Sequence, residues 1–256
     1  HSSKGLMLFV TSKIIQGILA LFGVASLVFF LFTVLPGDPA QMMLDQNEDS
    51  AQLEVVKAKF GFDLPLYQQY FYYLNDLSPV SFHPIDLQSF AHYNAATYGG
   101  VVLYKGTENL LLLKYPYFRT SYQKRGKPIS EILKETLPNT AVLAFSSMLI
   151  AIILGVFLGI LATLFKDHWL DKTLLILSTL GMSVPSFFSA ILFSWFFGYV
   201  LNSVTHLNMT GSLYELDDFG ESYQIVWKNL ILPSFVLGIR PLAVITQLMR
   251  SNLLEV

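Results

Sequence analysis

"IIQGILALFGVASLVFFLFTVL", Ile14 to Leu35, holds 22 residues and no charged side chain. As a helix it reaches roughly 33 Å at 1.5 Å per residue, enough to cross the ~30 Å hydrocarbon core of a bilayer. A cleaved signal peptide would have a shorter apolar region, usually ~7–15 residues, ahead of a small-residue cleavage site. The following "LPGDPA" is a poor match to such a site. The stretch therefore reads as a retained transmembrane helix.

The rest of the composition agrees. Of 256 residues, 53% are hydrophobic and 13% are Asp, Glu, Lys or Arg, against roughly 25% charged in a soluble domain. A net charge of −2 gives no basis for nucleic-acid binding. The absence of cysteine excludes disulfides, thiol catalysis and cysteine metal sites. The five histidines are scattered without ligand spacing, so neither a metal nor another cofactor is expected. Residues 1–6, ahead of Met7, are compatible with a tag remnant and are set aside.

Three further apolar runs follow. "AVLAFSSMLIAIILGVFLGILATLF" ends at Phe165, and Pro138 suits the first turn of its helix with Thr136 as cap, giving a span over about 138–165. The run 173–204 has 32 uncharged residues and contains Pro185, which removes a backbone donor and should break or kink the span. Ser183, beside that break, is expected at a helix interface or cavity. The run 227–249 carries Pro233, Arg240 and Pro241. The expected fold class is a mainly α, polytopic helical membrane protein with four transmembrane helices.

Lysine and arginine in the short connections set the orientation. Lys4 and Lys13 precede the first span, Lys166 and Lys172 bracket "KDHWLDK", and Arg250 follows the fourth. The 204–227 loop carries only acidic charges. Both ends, including residues 1–13, are therefore expected in the cytoplasm, with 36–137 as a large extracytoplasmic segment. Within it, "SAQLEVVKAKFGF" has Leu53, Val56 and Phe60 at helical spacing, a Ser50 cap and a Gly61 stop. "LPLYQQYFYYL" begins a second helix near Pro65 with an aromatic stripe of Tyr67, Tyr70, Phe71 and Leu74. "VVLYKGTENLLLLKY" reads as a β-hairpin around Lys105-Gly106-Thr107. "KRGKPIS" lacks the glycine five before Gly126 and has Pro128 after its lysine, which excludes a phosphate loop.

Several stretches occur together in order. They are "LPGDPA" (35–40), "FGFDLPLYQQY" (60–70), "GKPISEILKETLPNT" (126–140), "LGVFLGILATLFKDHWLDK" (154–172), "GMSVPSFF" (181–188) and "LPSFVLGIRPLAVITQLMRSNLLEV" (232–256). In this order the chain resembles the B-type permease subunit of bacterial ABC importers for dipeptides, oligopeptides and nickel. The resemblance implies half of a translocation path in the bacterial inner membrane, with no enzymatic activity of its own. The implied partners are a homologous C-type permease, two cytoplasmic ATP-binding subunits that hydrolyse ATP, an extracytoplasmic solute-binding protein and membrane lipid. It also implies a cytoplasmic coupling loop and two more spans after the last matched stretch. The chain is thus expected to be truncated before that loop, with Arg250 and Glu255 in its run-in, a naturally four-span homologue being the alternative. Rival functions are a non-transporting membrane scaffold and a secondary transporter, the latter disfavoured because the four runs hold no carboxylate.

Polar or helix-breaking residues inside apolar runs are the candidates for path lining or interhelical contact: Asn139, Thr140, Ser146, Ser147, Ser183, Pro185, Arg240 and Gln247. Arg240 is readable either as a structural, snorkelling cation or as part of the path. Gly155 and Gly159 form a G-x-x-x-G face for close helix packing.

Overall fold

The computed structural model describes residues 2–35, 37–44, 50–124 and 126–256. They form two compact units, His1–Leu133 and Lys134–Val256.

In the first unit α1 (Ser2–Val34) is one continuous helix. Residues 2–13 are thus not a lead ahead of the span but part of its helix. Nothing in them stops a helix, since the first proline comes at position 36. The short α2 (Pro39–Met43) is capped by Asp38, whose Oδ1 accepts from the Ala40 amide at 3.0 Å. Asp38 also pairs with Lys57 of α3 (Ser50–Phe60) at 2.8 Å, which holds its carboxyl below the usual carboxylate range. Ser50 lies inside α3, not at its cap, and the residue before it lies outside the described residues. Gly61 ends α3 with φ +72°, and the Phe62 amide returns to the Lys57 carbonyl at 2.9 Å.

Then α4 (Leu66–Leu77) lays Tyr70 and Tyr73 on Phe29 of α1, and the Tyr70 hydroxyl shares a 2.7 Å hydrogen bond with Ser26. Tyr67 and Phe71 of the expected stripe point outward. The packed face is i, i+3 from Tyr70, because the helix is fixed by that hydroxyl as well as by apolar area.

Beyond it, β1 (Val80–Pro84), β2 (Val101–Lys105) and β3 (Asn109–Leu113) form an antiparallel sheet in the order β1-β3-β2. The expected hairpin is β2–β3. The prolines around and within "PVSFHP" disguise β1 as loop; as an edge strand it tolerates them. The four-residue α5 (Ala95–Tyr98), capped by Asn94, leads into β2. Ser81 and His83 of β1 are fully buried. The His83 Nδ1 lies 3.0 Å from the Ala91 carbonyl, which can only accept, so Nδ1 carries the proton and Nε2 accepts from the Ser81 hydroxyl at 2.9 Å. A buried neutral ring results. Burial holds its pKa below the ordinary value, outweighing the nearby Asp76.

In the second unit α6 (Ile129–Leu164) begins before the unit boundary. Pro138 is nine residues inside it, not in the first turn, and Thr136 lies within the helix, its carbonyl accepting from Thr140 Oγ at 3.1 Å. Pro128 supplies the start instead, its carbonyl accepting from the Glu131 and Ile132 amides. The 173–204 run is not one helix: α7 (Trp169–Ser183) stops, Val184 and Pro185 are extended, and α8 (Ser186–Trp195) starts afresh. The axis turns by 112° across this break. A π-helical turn (Phe196–Val200) and α9 (Asn202–Thr205) complete the run. A small hairpin, β4 (Tyr214–Leu216) and β5 (Tyr223–Ile225), precedes α10 (Lys228–Leu254), which keeps both Pro233 and Pro241 inside. Among the described residues α1, α6 and α10 are each long and apolar enough to cross a membrane, and the bent α7–α8 pair is a fourth if it counts as one span.

The second unit is held by a seam of small residues. Ser147, Ala151, Gly155, Gly159 and Ala162 of α6 are buried, as are Ser234, Gly238, Ala243 and Thr246 of α10. A Cβ on Gly159 would come within 2.6 Å of Met249 Cβ, and one on Gly238 within 2.9 Å of the Ser147 carbonyl oxygen. Thr246 Oγ donates to the Leu242 carbonyl at 2.8 Å and reaches the Gly155 carbonyl across the seam at 3.3 Å.

Gly238→Val should destabilise the second unit by about 1–3 kcal/mol, because it meets a backbone carbonyl that cannot yield. Gly181→Ala should cost clearly less, since its nearest neighbour is a side-chain methyl, Ile239 Cγ2 at 3.1 Å, rather than backbone. Unfolding midpoints in detergent compare the two. In the first unit the unfolded His83 takes up a proton as pH falls through about 6.5, whereas the folded, depressed His83 resists it, so stability is lost toward acid. Pulse proteolysis at pH 7 and pH 5 should therefore show a loss at pH 5 that is smaller in His83→Gln.

Candidate functional site

The α7–α8 break and α10 meet in one place. Proline at 185 denies the Gly181 carbonyl its usual helical donor, and the peptide before Pro185 is extended. The Val184 carbonyl turns toward α10, where Arg240 Nη2 donates to it at 3.4 Å. Gly181 and Ala243 let the two helices approach, a Cβ on Gly181 lying 3.5 Å from that of Ala243. Arg240 is near the middle of α10, roughly 18 Å from Lys228 and roughly 21 Å from Leu254. It is exposed, and among the described residues no carboxylate lies within ion-pair distance of it.

The other arginine of α10 is placed differently. Arg250 grips Asp171 with both prongs, Nε to Oδ1 at 2.6 Å and Nη2 to Oδ2 at 2.7 Å. The Asp171 carboxylate, 2% exposed, also accepts from the Asp167 amide at 3.0 Å. One carboxylate thus ties the α6–α7 turn to the end of α10.

On the Asn229 side of the break, Ser186, Phe187 and Ile191 of α8 and Leu232 and Leu237 of α10 line a cavity of about 720 Å³. Its polar rim is an amide pair: Asn208 Nδ2 donates to Asn229 Oδ1 at 2.9 Å, and Asn229 Nδ2 donates to the Ser212 carbonyl and to Glu215 Oε1. The first unit holds its own cavity of about 520 Å³, with Phe29, Phe62, Tyr73 and Tyr122 around Arg119 and the Asp38–Lys57 pair. Beside this cavity Arg119 meets Asp76 at 2.8 Å, yet burial pushes the Asp76 carboxyl above its ordinary pKa.

Two groups of candidate residues come together and the rest are scattered. Ser183, Pro185 and Arg240 come together at the break, although the Ser183 hydroxyl donates to Thr179 of its own helix at 2.7 Å and faces outward. Ser147, Gly155 and Gly159 lie in the α6–α10 seam, with Ser146 beside it donating to the Val142 carbonyl. Asn139 and Thr140 are exposed on the first part of α6, Gln247 is half-buried on α10, and Glu255 is exposed as the C-cap of α10. Sequence reasoning missed Asp171, Asn208 and Asn229. A carboxylate in the charged "KDHWLDK" turn looks solvated, and nothing local shows its pairing with an arginine 79 residues away.

The chain matches two family models in order: the N-terminal domain of binding-protein-dependent transport system membrane components over residues 6–100, and the binding-protein-dependent transport system inner membrane component over residues 151–256. It is 29% identical over 255 residues to the probable D,D-dipeptide transport system permease protein DdpB of Escherichia coli, covering 93% of this chain and 63% of that protein. It is 25% identical to the oligopeptide transport system permease protein AppB of Bacillus subtilis, covering 97% of this chain and 66% of the relative. To the dipeptide transport system permease protein DppB of Lactococcus lactis the identity is 26%, over 93% and 61%. The chain thus spans less than two thirds of the length of these relatives.

Breaking the Asp171–Arg250 pair from one side leaves a charge without its two hydrogen bonds, near the end of α10 where Arg250 is still partly exposed. Asp171→Asn and Arg250→Met should each cost about 1–3 kcal/mol. The double variant Asp171→Leu/Arg250→Met should cost clearly less than the sum, because no orphan charge remains. Unfolding of the four proteins in detergent closes this cycle; additive losses would show that the pair is energetically idle.

Proposed function

This chain belongs to the family of binding-protein-dependent transport system inner membrane components, and on that premise we propose that it is a permease subunit of an ABC importer, forming half of a translocation path. The observation that carries the proposal is the helix break beside Arg240. Irregular backbone and an unpaired cation within a bundle of apolar helices are costly against lipid. They are at home on a wall that faces water or a solute. The small-residue seam gives that wall a rigid backing, so that the unit could rock as a body between outward and inward exposure.

The cargo is peptide-like, the class that the names of the three relatives carry. A homologous permease completes the path, two cytoplasmic ATP-binding subunits drive it, and an external solute-binding protein delivers the cargo. The lysine and arginine bias of the short connections supports cytoplasmic placement of Lys4, Lys166, Lys172 and Arg250, with the 204–227 hairpin and the segment 36–137 outside.

The test is uptake in proteoliposomes bearing the assembled importer, with an equimolar mixture of dipeptides and tripeptides read by mass spectrometry. Accumulation that needs ATP, the binding protein and this subunit is the expected result. Uptake driven by an ion gradient without ATP would establish a secondary transporter instead. Normal uptake without this subunit would leave it a scaffold.

A further inference from the structure

Among the described residues Arg240 has no carboxylate within ion-pair distance, and, resting on the importer reading, we infer that it is the contact for the C-terminal carboxylate of a peptide passing the middle of the membrane. Its fork has five N–H donors, and among the described residues it makes one hydrogen bond, the 3.4 Å contact with the Val184 carbonyl. An arginine midway along a span is too costly to leave facing hydrocarbon. The extended Val184–Pro185 backbone makes the same demand independently, because irregular backbone at membrane depth must face protein or a water-filled cavity. Two observations thus put this face of the bundle away from lipid.

The cavity beside it says what passes. Ser186 follows the break directly, and Leu237 precedes Arg240 by one helical turn, so Arg240 sits one turn beyond the lining of the 720 Å³ space, on the α10 face that carries Asn229, Pro233 and Leu237. Its walls are apolar with the Asn208–Asn229 amide pair at one edge. Such a lining suits side chains and backbone amides of a short peptide, and a linear peptide brings one fixed anion, its C-terminal carboxylate. A planar fork matches a carboxylate with two parallel hydrogen bonds. Asp171 in α7 offers no rival, since Arg250 occupies both of its oxygens. The Val184 carbonyl acts as a weak resting partner that holds the side chain toward the path.

The test uses the assembled importer in proteoliposomes. A peptide that the wild type imports is compared with its C-terminal amide, each presented on saturating, preloaded binding protein so that capture cancels. Arg240→Met should lower import of the free-acid peptide by about tenfold or more, the scale of a lost hydrogen-bonded charge pair, and change import of the amide little. Arg240→Lys, which keeps the charge without the fork, should lose less. An equal loss of both peptides with loss of the assembled complex would show that Arg240 pairs with a carboxylate of the partner permease, and overturns the inference. Unchanged import of the free acid in Arg240→Met overturns it as well. If the wild type imports no peptide, the importer reading falls first and the carboxylate contact with it.

Discussion

The close approach of α6 to α10, made possible by glycine, alanine and serine at Ser147, Ala151, Gly155, Gly159 and Gly238, fixes the rest of the second unit. Gly238 rests against the Ser147 carbonyl and Gly159 against Met249, distances that any larger residue would forbid. In a bilayer apolar side chains gain little by leaving lipid, so helices associate by close packing and hydrogen bonds. This contact sets the rotation of α10, and two consequences follow from that rotation. Arg240 is carried to the helix break, and Arg250 is carried to Asp171.

The two arginines of one helix illustrate how burial and partners assign roles. Arg250 finds a carboxylate with two oxygens and becomes a tie between helix ends. Among the described residues Arg240 finds a single backbone carbonyl and keeps most of its donors. Charge in a span is tolerated when it is paired or faces a wet cavity. The first condition describes Arg250, and the second is the one proposed for Arg240. The Pro185 break contributes the complementary half, a carbonyl released from a helix and turned toward the cation.

The first unit solves a different problem. It packs a small sheet and several short helices with modest apolar volume, and it uses buried polar contacts where apolar area is thin. Lys114 donates to the carbonyls of Asp76 and Ser78, Arg119 pairs with the Asp76 carboxylate, and His83 is held neutral between Ser81 and Ala91. Such networks specify one arrangement when every member is satisfied. The aromatic contacts of Tyr70 and Tyr73 with Phe29 then join this body to α1.

The amino-acid sequence by itself determined what depends on local chemistry and period. Uncharged runs marked the apolar helices, Pro185 marked the break, "VVLYKGTENLLLLKY" marked β2–β3, and Gly61 marked the end of α3. Helix starts were less legible. Pro138 resembles a first-turn proline, yet α6 already runs from Ile129: the long apolar helix carries an exposed proline inside it at the cost of one hydrogen bond and a ring contact with the preceding turn, and Pro128 supplies the earlier start. Strand β1 was hidden by prolines that an edge position accepts. What only the tertiary structure decided are the pairings between distant residues: Asp171 with Arg250, Asn208 with Asn229, Tyr70 with Ser26, and Arg240 with the Val184 carbonyl. Local sequence encodes a helix and its faces, but the partner of each face depends on which helices pack and at what rotation, which in the second unit follows from the contact of the small residues of α6 and α10.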